Sequence, residues 1–379
     1  MEKQVFINRI SKFLPNNPVD NDSMEKYLGK IGEKSSRVKS IILRQNGIKT
    51  RYYALNKENE ITHTNAEMVV HAINELLSDS ITLSDIEMLI CATSVPDQIV
   101  PSHASMVHGL LKHKQMEILS PSGVCACGMH ALKIAYMSIK SGNSKNAVCT
   151  GSELASGMLH SKNYKEEYDK LMLFEENPMI AFEKDFLRFM LSDGAGAMLL
   201  EDKRKGVISL KIEWIETISY ANEAQVCMYM GAEKTENGEL KSWKEISEQE
   251  WLANSVFALK QDIRLLDNKI IKLAVCHLKS CFEKYTINPS KDFDYFLPHL
   301  SSMVFKDKLQ QALEEENIPI SLDKWFINLP KVGNVGSASI YLALEELFHS
   351  DRLKKGERIL LSVPESGRFS YASILLTVV

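Results

Sequence analysis

Two distant stretches of the chain follow one pattern, and that repetition limits the folds open to it more than any other feature. Ser84-Asp-Ile-Glu-Met-Leu-Ile-Cys-Ala-Thr and Ser290-Lys-Asp-Phe-Asp-Tyr-Phe-Leu-Pro-His each read as a buried strand followed by a helix. Gly128-Met-His-Ala-Leu-Lys-Ile-Ala, leading to a strand at 147–152, matches Gly336-Ser-Ala-Ser-Ile-Tyr-Leu-Ala, leading to one at 358–363. The expectation is two copies of an α/β unit, over 1–203 and 204–379, with helices covering the strands. In such architectures reactive side chains gather where loops leave the carboxyl ends of strands. A pseudo-twofold arrangement would bring Cys125 from one copy to His299 and Asn334 from the other.

Cys125 stands in Ser120-Pro-Ser-Gly-Val-Cys-Ala-Cys-Gly-Met, between a short strand and a helix with a wide apolar stripe (Ala131, Leu132, Ile134, Ala135 and Ile139). A thiol in the first turn of a helix meets unpaired N–H groups and the positive end of the helix dipole, which favour the thiolate and can hold an oxyanion. Cys127 competes for that role, and both thiols also suit a core. His299 after a strand and Asn334 in a Gly-Asn-Val-Gly turn each have a structural reading alone. Together, a thiol, an imidazole and an orienting amide form a consistent acyl-transfer set.

Composition removes several classes. With 379 residues, 45% of them hydrophobic, the chain has ample core material, and its net charge of −4 gives no electrostatic basis for nucleic-acid binding. No apolar run reaches about 18 residues, and Met1-Glu-Lys-Gln-Val-Phe-Ile-Asn lacks a secretion-signal pattern, so no membrane association and a cytoplasmic location are expected. The seven cysteines are scattered, unlike a disulfide framework, and no second Cys/His pair supports a metal site at Cys125-Ala-Cys127.

Further along, Thr64 or Asn65 caps an expected helix to Leu77, a long helix is expected from about Ser247 to Tyr285, and Trp325-Phe-Ile-Asn-Leu reads as a strand. Residues 154–191 and 221–246 break the rhythm and read as insertions. Arg44-Gln-Asn-Gly-Ile-Lys-Thr-Arg is a turn with three cations, Arg44, Lys49 and Arg51, suited either to a phosphate or to solvent.

Taken together, Val124-Cys-Ala, Gly151-Ser-Glu, Asp193-Gly-Ala-Gly-Ala, Pro298-His299 and Gly333-Asn334 resemble the β-ketoacyl-acyl-carrier-protein synthase III type of thiolase-fold condensing enzyme over nearly the whole chain. The resemblance implies a layered α-β-α-β-α thiolase-like fold and a homodimer. It implies that Cys125 takes an acyl group from an acyl-CoA or acyl carrier protein, with the N–H groups of Cys125 and Gly367 in the oxyanion hole. His299 and Asn334 would then stabilise the enolate of a second thioester before carbon–carbon bond formation. It implies no resident cofactor, and it places Arg44, Lys49 and Arg51 near the mouth that receives coenzyme A or carrier protein.

The chain also departs from that family. Ser366-Gly367-Arg368-Phe369 replaces a glycine triplet before Phe, so Glu365 and Arg368 are either a surface ion pair or groups that meet an unusual substrate. Leu300-Ser-Ser replaces Gln-Ala-Asn after the histidine, and Cys127 replaces a small residue. Val100 stands where the family often carries a Phe reaching into the partner's acyl pocket, which implies a wider tunnel. These departures are similar to the ketosynthases that build dialkylresorcinol or stilbene-type precursors by joining a β-ketoacyl thioester to a second acyl thioester. Fatty-acid-initiating condensation with a malonyl carrier protein and acyl transfer to oxygen or nitrogen are the alternatives. A non-catalytic partner of another ketosynthase fits less well with an intact Cys/His/Asn set.

Overall fold

The computed structural model describes residues 3–31, 39–167, 169 and 186–379. Nine strands form its main sheet: β1 (Phe6–Phe13), β2 (Met88–Thr93), β3 (Glu117–Leu119), β4 (Asn146–Glu153), β5 (Gly194–Glu201), β6 (Leu210–Ser219), β7 (Tyr295–Pro298), β8 (Arg358–Glu365) and β9 (Ser370–Val378). Their order is β7-β8-β9-β6-β1-β5-β4-β2-β3.

The duplication is visible in that order. In the first five strands β2 lies parallel to β4, while β4–β5 and β5–β1 are antiparallel. In the last four β7 lies parallel to β8, while β8–β9 and β9–β6 are antiparallel. The two groups meet through Phe6↔Lys211 and Ile7↔Leu210 between β1 and β6. The counterpart of β3 in the second group is reduced to one parallel bridge, Phe296↔Trp325. The strand expected at Trp325 is therefore absent as a strand: Leu322–Lys324 form a short 3-10 turn, and Leu329–Val332 already turn helical with Pro330 near the start.

Six helices of nine or more residues complete the described layers: α1 (Asn65–Leu76), α2 (His103–Leu111), α3 (Cys127–Ser141), α4 (Ile263–Lys284), α5 (Val304–Glu315) and α6 (Ser339–Phe348). Of the two candidate caps it is Thr64 that starts α1, through a reciprocal box with Glu67. Ala131, Leu132 and Ala135 of α3 pack with Ile340 and Leu344 of α6 between the strand groups. Val69, Ala72 and Ile73 of α1 cover the outer face of the first group, and α4 and α5 cover the outer face of the second. β4 and β5 are buried along all eight residues, as strands covered on both faces must be. The layers run α-β-α-β-α, the thiolase-like arrangement expected from the resemblance.

The helix expected over 247–285 is broken. Glu248–Ala253 forms one short helix, and Lys260–Gln261 then pairs with Met228–Tyr229. Asp262 accepts from Leu265 N–H at 2.9 Å and starts α4 afresh. The irregular segment at 221–246 contains a small hairpin, Ala232–Lys234 with Leu240–Ser242. Much of the expected insertion at 154–191 lies outside the described residues.

Close approach of the turn ahead of α6 to α3 and β4 depends on two glycines. A Cβ on Gly128 would lie 2.3 Å from the Ser337 carbonyl oxygen, and one on Gly151 would lie 2.5 Å from the same atom. Both contacts meet backbone, which cannot rotate away. Gly151→Ala is expected to destabilise the fold by about 1–3 kcal/mol through overpacking. A fall in the urea midpoint at unchanged slope would register that loss.

Candidate active site

The loop after β3 is held at both ends before it delivers Cys125. Ser120 Oγ donates to the Cys91 carbonyl at 3.3 Å, and Ser122 bridges to Thr93 at the end of β2. The N–H groups of Val124 and Ala126 both donate to Glu365 Oε2, each at 3.1 Å. α3 begins at Cys127 with Ala126 as its N-cap, so Cys125 sits just ahead of the helix rather than in its first turn. Burial, reinforced by the Glu365 and Glu153 carboxylates, pushes its thiol well above the ordinary range. The shift runs opposite to the lowering expected from a helix end, with desolvation as its largest cause.

His299 follows β7 directly, and its backbone N–H donates to the Ser362 carbonyl at 2.8 Å, extending the β7–β8 ladder by one bond. Its imidazole is buried, and Nε2 has no partner among the described residues. Burial pushes its pKa down to about 4, which leaves the ring neutral near pH 7 and able to donate one hydrogen bond.

Asn334 is tied to the first strand group through its backbone, donating to the Met190 carbonyl at 3.1 Å and accepting from Ser192 N–H at 2.9 Å. Its Oδ1 accepts from Gly336 N–H at 3.0 Å and from Ser339 Oγ at 3.3 Å. These bonds orient the carboxamide and leave its NH2 as the donor. Gly333 and Ser339, on either side of Asn334 in sequence, share a small pocket with His299.

Cys125 and His299 line one cavity. Ser362, Ser366 and Ser301 supply its few polar walls, while Leu266, Ile270, Ala274 and Leu278 of α4 and Phe305 and Leu309 of α5 supply the apolar ones. The α4 residues recur at every fourth position, so one helical face runs along the cavity. That spacing was the available signal for this wall, but a four-residue repeat also describes an ordinary core face, and the sequence reading did not single it out. Gln261 was missed as well: its Nε2 donates to Ser366 Oγ at 2.9 Å, while Oε1 is buried without a partner among the described residues. Nothing in the local sequence marks it.

The remaining candidates scatter. Cys127 is fully buried and does not line the cavity, which separates it from Cys125. Arg51 is not available to a phosphate: it is fully buried, with Nη2 donating to Asn21 Oδ1 at 2.8 Å and to the Phe189 carbonyl at 3.3 Å. The extended backbone at Thr50–Arg51, paired with Val19–Asp20, turns that side chain inward. Arg44 and Lys49 stay exposed. Their turn packs beside the site, with Met303 N–H donating to the Asn46 carbonyl at 3.0 Å and Lys49 N–H to the Pro330 carbonyl at 2.9 Å.

Glu365 and Arg368 do not form the surface pair that was one reading of them. Glu365 is buried against the cysteine loop, whereas Arg368 is exposed and its Nε donates to the Ala224 carbonyl at 2.9 Å. The turn after β8 sends the two side chains to different sides, which also removes Arg368 from the cavity wall. Gly367 lies against the same loop, since a Cβ there would be 3.2 Å from Val124 Cγ2. Val100 is 79% exposed beside Ile99 at 78%, and it does not line the cavity within one chain.

A thiol and a neutral imidazole lining one largely apolar cavity, on a duplicated α-β-α-β-α frame, are the arrangement expected of a condensing enzyme of the thiolase fold. Comparison with known proteins agrees. Residues 285–378 match the family of 3-oxoacyl-[acyl-carrier-protein] synthase III C-terminal domains, and residues 100–206 match the beta-ketoacyl synthase N-terminal domain. The chain is 27% identical over 365 residues to beta-ketoacyl-[acyl-carrier-protein] synthase III of Clostridium novyi (strain NT), with 94% of each chain covered. It is 25% identical over 371 residues to the enzyme of the same name from Aquifex aeolicus (strain VF5), with 96% of each covered. Among solved structures, the tetronic acid condensing enzyme AbyA1 superposes with a TM-score of 0.76 at 18% identity, covering 98% of this chain and 99% of that one. A cysteine-to-serine variant of Xanthomonas campestris OleA, solved with bound lauric acid and lauroyl-CoA, gives 0.75 at 18% identity with 100% of each chain covered. The chain belongs to the β-ketoacyl-acyl-carrier-protein synthase III family, and it is an acyl-transferring condensing enzyme.

No helix among the described residues is long and apolar enough to cross a membrane, and no group of three or more His, Cys, Asp or Glu among them is placed to hold a metal ion.

Proposed function

We propose that the protein joins two acyl thioesters through an acyl-Cys125 intermediate, with a β-ketoacyl thioester as the second substrate and ring closure to a cyclohexanedione, a dialkylresorcinol precursor, as the sequel. The observation that carries this reading is the apolar cavity lined by both Cys125 and His299. Cys125 attacks the first thioester carbonyl, and the thiol of coenzyme A or phosphopantetheine leaves with a proton. The Cys125 and Gly367 N–H groups stabilise the tetrahedral oxyanion. The second thioester then loses its α-proton, and His299 Nε2 and the Asn334 NH2 meet the carbonyl oxygen of the enolate. The enolate carbon attacks the acyl-Cys125 carbonyl, the C–S bond breaks, and the released Cys125 sulfur takes up a proton to balance the one lost. Both steps place negative charge on an oxygen inside a water-poor cavity, where aimed neutral donors supply several kcal/mol. The reading calls on no resident cofactor.

The long apolar wall of α4 and α5 supports an aliphatic acyl chain. Exposed Arg44 and Lys49 beside the 299–303 segment support a phosphate-bearing carrier at the mouth, whether coenzyme A or acyl carrier protein. A second copy is the proposed partner at the far edge of the sheet: β3 is its outermost strand, and Ile99 and Val100 stand exposed in the loop after β2.

Intact-protein mass spectrometry with a panel of acyl, β-ketoacyl and α,β-unsaturated thioesters, followed by product analysis, tests the reading. An acyl adduct and a product holding the carbons of both thioesters are expected. A product made with malonyl carrier protein alone moves the enzyme to chain initiation, and one with no carbon from a second thioester moves it to oxygen or nitrogen acylation.

A further inference from the structure

The carboxylate of Glu365 occupies an unusual place for a charged group. It is 8% exposed at the end of β8, and its two hydrogen bonds come from the residues flanking Cys125. Oε2 takes the N–H groups of Val124 and Ala126 and leaves the Cys125 N–H between them outside the pair. Oε1 lies toward Gly367, where a Cβ would come within 3.3 Å of it. On the other side, a Cβ on Gly123 would lie 3.4 Å from Oε2. One side chain thus touches both walls that are expected to build the oxyanion hole, the cysteine loop and the 365–369 turn. None of this follows from the sequence motif, which carries no carboxylate requirement at that turn.

Two consequences compete. Two hydrogen bonds to the carboxylate fix the loop. The same negative charge opposes formation of a thiolate beside it. The other groups facing Cys125 do not cancel that opposition: Glu153 adds a second carboxylate, Cys127 is a buried thiol, and His299 is neutral. No cation among the described residues is paired with Glu365.

We propose that Glu365 is a positioning residue that sets the geometry of the Cys125 loop and holds Cys125 as a neutral thiol until substrate binds. The inference rests on reading Cys125 as the nucleophile. Burial raises the Glu365 carboxyl above the usual carboxylate range and the two N–H bonds work against that rise; its ionised form opposes a thiolate beside it, so a neutral replacement should ease thiolate formation. The oxyanion hole stays assembled in the resting enzyme, while an unacylated thiol stays protected from adventitious electrophiles.

The test measures iodoacetamide alkylation of Cys125 against pH, located by peptide mass mapping, together with acyl loading. Glu365→Gln keeps an acceptor for both N–H groups and removes the charge; the alkylation midpoint should fall by about one pH unit. Glu365→Asp keeps the charge but retracts the acceptor by one methylene. Its kcat for loading should fall about tenfold at unchanged KM for the thioester, with a smaller midpoint shift than in the glutamine variant. A merely structural glutamate would change the yield of folded protein and leave the midpoint alone. An unmoved midpoint in Glu365→Gln overturns the proposal, as does wild-type loading by Glu365→Asp, which reads the loop independently should the glutamine variant not fold. Loading by a Cys125→Ala protein would instead overturn the nucleophile assignment, so the two failures are distinguishable.

Discussion

Cys125→Ala is expected to abolish acyl loading: incubated with an acyl-CoA or acyl carrier protein that charges the wild type, the variant should keep its unmodified mass. The loss in turnover should be at least about 10⁴-fold, the scale seen when a covalent nucleophile is deleted. The nearest rival is not placed to take over. Cys127 lies two residues on, but it is fully buried within the central layer and does not line the cavity. The substitution removes one sulfur atom from a loop whose backbone bonds to Glu365 involve other residues, so folding should survive. An acyl adduct on the variant, mapped to Cys127, would reverse the assignment.

His299→Ala should separate the two half-reactions. Loading on Cys125 should persist, while formation of the new carbon–carbon bond falls about 10²–10³-fold, the usual cost of one oxyanion donor. The argument rests on the protonation state. Burial holds the imidazole pKa down at about 4, so the ring enters the reaction neutral and donates through Nε2, which no described protein group occupies. It gains a proton only as the pH falls toward about 4, and across about pH 6–8 the condensation rate should show no inflection from this group. Mass spectrometry of the loaded variant, with product quantified separately, distinguishes this from general collapse of the site. Equal loss of loading and condensation would remove His299 from the second step.

The family frame was legible because its marks are short and local. Val124-Cys-Ala and Pro298-His299 each sit just after a strand and Gly333-Asn334 in a turn between two helical segments, where residue type and backbone geometry are set within a few positions. The Thr64–Glu67 capping box is local in the same sense, and α1 starts where its spacing indicates. Errors arose where the outcome depended on distant partners. The long helix expected from Ser247 is interrupted because Lys260–Gln261 pairs with Met228–Tyr229, a contact that periodicity cannot reveal. Trp325-Phe-Ile-Asn has strand-like composition but makes only one bridge to Phe296.

The charged residues show the same division. Arg51 belongs to a basic turn in sequence, yet its Nη2 donates to a carbonyl and an asparagine from elsewhere in the chain inside the protein. Glu365 and Arg368 are three residues apart, and the turn between them sends one inward to Val124 and Ala126 and the other out to Ala224.

By itself the sequence determined the duplicated α/β plan, the family, and the thiol and imidazole that follow strands in the two halves, because those features are written in periodicity and short motifs. Only the tertiary structure decided that Cys125 and His299 share one apolar cavity, that Cys127 is shut out of it, and that a carboxylate near the far end of the chain grips the cysteine loop. The physical reason is that desolvation and hydrogen-bond pairing depend on what packs against a group, and at this site most of the packing comes from the second half of the chain.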